Sequence, residues 1–228
     1  MNSSCPRGFR QDFPNSPRSF HRRRDRIFAF TPFPSKPDLA RRRKFQRSGL
    51  HRKMRLLLTG NPGVGKTTLI RAVLERLEGV MCAGFYTEEI RRSGQRTGFR
   101  IVTLDGQKGA LASLGAKKPT VGKYSIHVED FEKLVLRYFD PVKTPADLYV
   151  IDEIGKMELL SSQFKTKLIE LLAHPTNLLA TITKKGNGFV KQIKRRSDVE
   201  VIEVTRGNRD DLPEKLVRNI KIQLGFRN

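Results

Sequence analysis

An apolar strand that runs straight into a glycine-rich turn and then a helix leaves a chain few ways to fold. Here Leu56-Leu57-Leu58 leads into Gly60-Asn61-Pro62-Gly63-Val64-Gly65-Lys66-Thr67, which meets the pattern G-x-x-x-x-G-K-[ST] at every fixed position. Arg55 to Thr59 reads as a buried strand, and Thr68 to Leu77 as a helix with Leu69, Val73 and Leu77 on one face. The glycines let the backbone wrap a phosphate, so that successive N–H groups and the helix N-terminus point at negative charge. Lys66 is expected to reach the β- and γ-phosphates, and the Thr67 hydroxyl to hold Mg²⁺. The nucleotide-binding set then runs from Gly60 through Thr68. A turn that bound nothing would need neither Lys66 nor Thr67.

A second element adds chemistry to binding. Leu148-Tyr149-Val150-Ile151-Asp152-Glu153 is a short apolar run that ends in two carboxylates and continues as Ile154-Gly155. Buried parallel strands have this composition, and open α/β sheets bind ligands at the carboxyl ends of their strands. Residues 148–155 therefore join the expected nucleotide site. Asp152 would meet the metal beside Thr67, and Glu153 would orient and deprotonate the attacking water as general base. The bland reading is that the two acids cap the helix that follows. An acid beside the metal ligand argues against a small-molecule kinase, whose acceptor hydroxyl comes from the substrate.

The string Ile151-Asp152-Glu153-Ile154-Gly155-Lys156-Met157-Glu158-Leu159 resembles the hallmark IDEIGKMEL of the THEP-type nucleoside triphosphatases. GNPGVGKTTL from Gly60, FYTEEIR from Phe85, TGFRIVTLDG from Thr97 and the triplet Asn208-Arg209-Asp210 agree with it, so the resemblance spans Met54 to about Leu224. It implies a RecA-like P-loop fold and Mg²⁺-dependent, slow hydrolysis of ATP, GTP, CTP and UTP to diphosphate and phosphate, with loose base selectivity. By the same resemblance Asn208, Arg209 and Asp210 could lie against the base, the bland alternative being a helix N-cap. One segment departs from the pattern. Where many members carry a TIP-type sequence, this chain has Thr181-Ile182-Thr183, which keeps Thr181 as a candidate polar sensor but alters the loop that follows.

Hydrolysis also calls for positive charge beyond Lys66 to meet charge that develops in the transition state. Lys156, just past the acidic pair, and Arg91, Arg96 and Arg100 are the candidates; the resemblance favours Lys156 as a catalytic residue and Arg100 as a charge stabiliser. Their alternative is a solvated surface charge. Glu88 and Glu89 read more readily as partners of these arginines than as groups near the metal. His127 and His174 have no partner at catalytic spacing and receive no role. Cys5 and Cys82 show no metal spacing and provide no disulfide framework; Cys82 reads as a small core residue.

The formal charge of +22 is unusual and unevenly placed. Residues 1–53 hold fifteen Lys/Arg against three Asp, a net +12, leaving +10 for residues 54–228. That first segment has six prolines and no apolar period, so it is expected to be disordered. It could be a misplaced start, since Met54 immediately precedes the first strand. It could instead be a basic arm for nucleic acid with Phe28 and Phe30 for stacking, or a targeting peptide for an organelle. The remainder is expected to be cytoplasmic, the two cysteines being in keeping with a reducing compartment, and no apolar stretch approaches membrane-spanning length.

Residues 54–228 therefore read as one α/β domain: a mostly parallel, doubly wound sheet flanked by helices, with a β-hairpin region added at one edge. The hairpin would pair a strand from Met81 to Thr87, ending in Glu88-Glu89, with one from Gly98 to Leu104. Short strands are expected at Ala110 to Leu114 and Tyr124 to Val128, and later ones at Asn177 to Thr183 and Val199 to Val204. Helices are expected through Phe131–Tyr138, from Glu158 to His174, over Phe189–Arg195 and over Leu212–Leu224. A nucleoside triphosphatase fits these features. A nucleotide-switched protein that binds nucleic acid or another protein is the rival, and a nucleotide or nucleoside kinase is a third reading that lacks an arginine-rich lid segment. The oligomeric state is open.

Overall fold

The computed structural model describes residues 53–186 and 188–226, so the basic segment considered above lies almost wholly outside the described residues. Nine strands form one sheet in the order β5-β6-β4-β3-β2-β7-β8-β1-β9. Five of them run parallel to one another: β2 (Cys82–Arg92), β7 (Leu148–Ile154), β8 (Leu178–Ile182), β1 (Arg55–Thr59) and β9 (Glu200–Glu203). The other four, β3 (Gln95–Thr103), β4 (Lys108–Leu114), β5 (Thr120–Val121) and β6 (Tyr124–Ile126), extend the sheet with antiparallel pairings.

Alternation along the parallel strands builds two cores. Leu57, Tyr149, Ile151 and Ala180 face one side, under α2 (Val128–Val135), α3 (Ser162–Ala173) and α4 (Gly188–Lys194). Leu56, Leu58, Leu148, Val150 and Leu179 face the other, under α1 (Lys66–Leu74) and α5 (Leu212–Gln223). Strands buried on both faces need apolar residues at nearly every position, which is why LLL and LYVI read as continuous runs. On the α2/α3 side Phe85, Phe131, Phe139 and Phe164 meet edge-on or tilted, with centroids 5.3–6.5 Å apart.

The added region is the hairpin with the two short strands expected beside it, β4 and β6, and a third, β5. β2 does not stop near Glu88-Glu89 but runs on to Arg92, and the turn shrinks to Ser93 and Gly94. Past Thr87 the strand leaves the cover of the parallel helices and becomes mostly polar, and it stays paired with β3 across a register shift between Ile90 and Arg91. The sequence pattern marks that change in burial, not the end of the strand. Helix boundaries also differ. α1 ends at Leu74, and α2 passes into a 3₁₀ turn, Leu136–Phe139. A further 3₁₀ turn at Glu158–Leu160 precedes α3, whose N-cap Ser161 accepts from Phe164 N–H at 2.8 Å.

Candidate functional site

Register carries the key side chains to one end of the parallel strands. Leu58 stands beside Thr181 on β8, Ile151 beside Ala180, and Phe85 beside Ile151. One residue further on, β7 delivers Asp152. Strand β8 separates the loop-bearing strand β1 from the acid-bearing strand β7, so Thr181 comes between them.

The loop has the shape that its glycines allow. A Cβ on Gly60 would stand 2.6 Å from the Val204 carbonyl oxygen, so the chain can leave β1 this close to its neighbour only without a side chain. Gly65, at φ 107°, is the left-handed residue that turns the loop into α1. No side chain caps the start of α1 and no acid lies in its first turn, so its leading N–H groups are left to an anion. Lys66 lies along the loop, with Nζ 3.4 Å from the Gly60 carbonyl oxygen and 3.6 Å from Glu153 Oε2.

Asp152 is fully buried and gripped by hydroxyls. Thr67 Oγ1 donates to its Oδ2 at 2.6 Å and Thr181 Oγ1 to its Oδ1 at 2.5 Å, while Thr87 Oγ1 stands 3.5 Å from Oδ2. Burial pushes the Asp152 carboxyl above its ordinary range, and the hydroxyl hydrogen bonds and the Lys66 charge oppose that. Glu153 is raised by burial as well, with Lys66 as the main opposing influence. Glu158, a third carboxyl, is buried behind the pair. It packs with Glu153 against the same side of Gly155, and burial pushes it up to about 8, aided by the charges of Glu153 and Asp152.

The remaining expected residues are placed less uniformly. Leu148, Tyr149, Val150 and Ile151 are buried in the two cores, so these four serve the site by holding the acids in position rather than by lining it. Arg209 lies across the loop: its Nη1 donates to the Val64 carbonyl at 3.3 Å and its Cδ stands over Gly65. Asn208 is committed to the turn before α5, accepting from Thr205 N–H at 2.8 Å and donating to the Glu203 carbonyl at 2.9 Å. Asp210 sits 3.6 Å from Arg209 Nε, and the residue that precedes α5 is Asp211. Arg100 pairs with Glu88 at 2.7 Å, and Arg91 and Arg96 pair with Glu89, all on the hairpin. Lys156 is exposed at the rim of a groove of about 410 Å³ that Leu159, Leu160 and Val190 also line. Cys82 is partly covered, and burial pushes its thiol up to about 12.

Sequence reading missed Lys194. This residue closes α4, donates to the Thr183 carbonyl at 2.8 Å, and adds positive charge near Glu153. It lies in a basic run, Lys191 to Arg196, whose members look alike until the fold selects one. Thr87 was also missed; its only sequence signal is that a strand ending beside Asp152 must place some residue there.

A family model described as NTPase matches residues 55–217. The chain belongs to that family. It is 43% identical over 176 residues to the nucleoside-triphosphatase THEP1 of Thermotoga petrophila, covering 77% of this chain and 97% of that one. It is 44% identical over 178 residues to the human cancer-related nucleoside-triphosphatase, covering 71% of this chain and 94% of that one. The crystal structure of THEP1 from Aquifex aeolicus superposes with a TM-score of 0.67 at 38% identity, over 74% of this chain and 99% of that one. The fold is that of a P-loop NTPase, a mixed sheet whose parallel strands are flanked by helices. Among the described residues no helix is long and apolar enough to cross a membrane.

Proposed function

We propose that this chain hydrolyses nucleoside triphosphates to diphosphate and phosphate, with its working domain in residues 54–228. The observation that carries the reading is the convergence of Thr67 and Lys66 of the loop on two adjacent acids, Thr67 on Asp152 at 2.6 Å and Lys66 on Glu153 at 3.6 Å. Names of relatives support the same activity.

The donor set fits Mg²⁺. A hydroxyl and a carboxylate at hydrogen-bonding distance are hard oxygen ligands, and Mg²⁺ takes few protein ligands, completing its shell with water and phosphate oxygens. A fully buried carboxylate held mainly by neutral hydroxyls also gains from a cation beside it. Bound there, Mg²⁺ would neutralise charge on the β- and γ-phosphate oxygens. Thr67 and Asp152 would hold it, and Thr181 would fix the carboxylate's other oxygen.

The loop N–H groups and Lys66 would bind and orient the triphosphate. As phosphate oxygens draw Lys66 Nζ away from Glu153, the carboxylate is freed to accept a proton from water. The water oxygen then bonds to the γ-phosphorus while the bond to the β–γ bridging oxygen breaks, and the diphosphate leaves. Burial raises the basicity of Glu153, which suits a base working near neutral pH. Arg209, lying over the loop, is the member of the 208–210 triplet best placed to meet the nucleotide, with Asn208 and Asp210 as its supports.

The test is Mg²⁺-dependent phosphate release from ATP, GTP, CTP and UTP, with Glu153→Gln as control. Release from several triphosphates is expected, and E153Q should lose roughly 10²–10⁴-fold in turnover while still binding nucleotide. Tight binding with no release above the control would instead favour a nucleotide-switched binding protein.

A further inference from the structure

Lys194 has three ammonium hydrogens and three protein acceptors: the Thr183 carbonyl at 2.8 Å, the Lys184 carbonyl at 3.1 Å and Thr59 Oγ1 at 3.3 Å. With every donor engaged, it is built as a tie rather than as a phosphate ligand. What matters is what it ties together. Thr59 is the last residue of β1 and immediately precedes Gly60, whose carbonyl meets Lys66 Nζ. Thr183 leaves β8 and donates its N–H to the Ile154 carbonyl at 3.2 Å, directly after Glu153. A continuous path therefore runs from the root of the phosphate loop, through Lys194 and Thr183, to the strand end that carries the water-activating carboxylate. The path needs an N–H at position 183, because a proline there would have none to give Ile154.

We propose that Lys194 is a positioning residue for hydrolysis: it fixes the phosphate loop relative to Glu153, and so sets the gap between bound γ-phosphate and attacking water. The proposal rests on Glu153 acting as the base. Thr67 and Lys66 also reach from the loop to Asp152 and Glu153, but both are ligand-binding groups, whereas Lys194 has all three donors taken up by the protein. The hairpin arginines are paired with Glu88 and Glu89, and Lys156 is exposed at its groove. Reaction rates are steep in this spacing, since a misplacement of about 1 Å can cost on the order of a hundredfold. Binding energy depends on the loop itself, which Lys194 does not touch beyond Thr59.

The experiment compares full-length wild type with Lys194→Met, Lys194→Arg, Thr59→Val and the K194M/T59V double variant. Steady-state MgATP hydrolysis and ADP affinity by titration calorimetry are measured for each, with a thermal melt to establish folding. K194M should lower kcat by roughly 10- to 100-fold while KM and ADP affinity stay within about threefold. K194R should recover most of kcat. T59V should lose less than K194M, and the double variant should be no worse than K194M, because both break one tie. K194M turnover within twofold of wild type would overturn the proposal. So would a kcat loss matched by an equal loss of ADP affinity, or additive losses in the double variant. Should K194M fail to fold, T59V decides: a folded T59V that turns over at the wild-type rate would overturn the tie. E153Q is run in parallel. If it turns over at the wild-type rate, Glu153 is not the base, and Lys194 is still judged by its own split between kcat and affinity.

Discussion

The two halves of the sheet handle polar residues in opposite ways. In the parallel half, buried polar groups are few, and Asp152, Thr181 and Thr59 among them gather at the strand ends beside the phosphate loop. In the antiparallel extension the charged groups are many and stand in pairs: Glu88 with Arg100, and Glu89 with Arg91 and Arg96. A buried carboxylate must be held by specific partners or it becomes neutral, so its surroundings are fixed in detail. Exposed pairs are screened and exchange partners cheaply. Turnover should therefore be sensitive to small changes in the first region and tolerant of them in the second.

The largest effect belongs to Lys66→Ala. Losing the ammonium that lies along the loop should weaken triphosphate binding by about a hundredfold or more, on the scale of ~3 kcal/mol for a desolvated charge contact. Isothermal titration with a non-hydrolysable triphosphate measures it, and an affinity within threefold of wild type would break the assignment of the loop. Next comes Thr181→Val, which keeps shape but removes the donor to Asp152 Oδ1. A hydrogen bond to a buried charge is worth about 1.5–3 kcal/mol, so the unfolding free energy from denaturant titration should fall by that amount. Turnover should fall with it, because the carboxylate loses its orientation.

Why Asp152 was legible in the sequence and Lys194 was not follows from the same contrast. A doubly buried strand must be apolar throughout, so an acid at the end of LYVI stands out against its own strand. The phosphate loop is equally visible because its glycines answer a backbone requirement. Lys194 stands in a run of lysines and arginines where nothing local separates a tied ammonium from a solvated one; only the packing of α4 beside β1 and β8 does so. The antiparallel extension was visible as a hairpin with two further short strands; what was missed is β5, which has two residues, and the far end of β2, where the strand passes from buried to exposed. Arg100 looked like a charge stabiliser because it sits in a family-like string, yet register sets it across from Glu88.

A pH-dependent prediction sharpens the buried side of the comparison. Glu158 is raised to about 8, mainly by burial, against an ordinary value of 4.5. Between these values the folded chain holds a proton that the unfolded chain has released, so stability should fall as pH rises through that window. Glu158→Gln keeps a neutral side chain of the same shape and removes the titration. It should melt with wild type near pH 5 and become the more stable of the two by pH 8. Melting curves that stay parallel across that range would mean that Glu158 is not a buried neutral acid.

The smallest effect is expected on the hairpin, and its sign in pH is opposite. Arg96 and Arg91 hold the Glu89 carboxyl below its ordinary range, the hydrogen bond from Arg96 contributing most. Its contribution is thus present above about pH 4.5 and lost as pH falls through the lowered value. The side chain is 38% exposed, so solvent screens much of the attraction. Glu89→Gln should therefore cost under about 1 kcal/mol at neutral pH, nothing in strong acid, and less than twofold in turnover. Chemical denaturation at pH 7 and pH 3, with the hydrolysis rate at pH 7, measures all three. A tenfold loss of turnover would erase the distinction between the two halves, since it would mean that the surface pairs of the extension transmit to the buried acids through β2, the strand the two halves share.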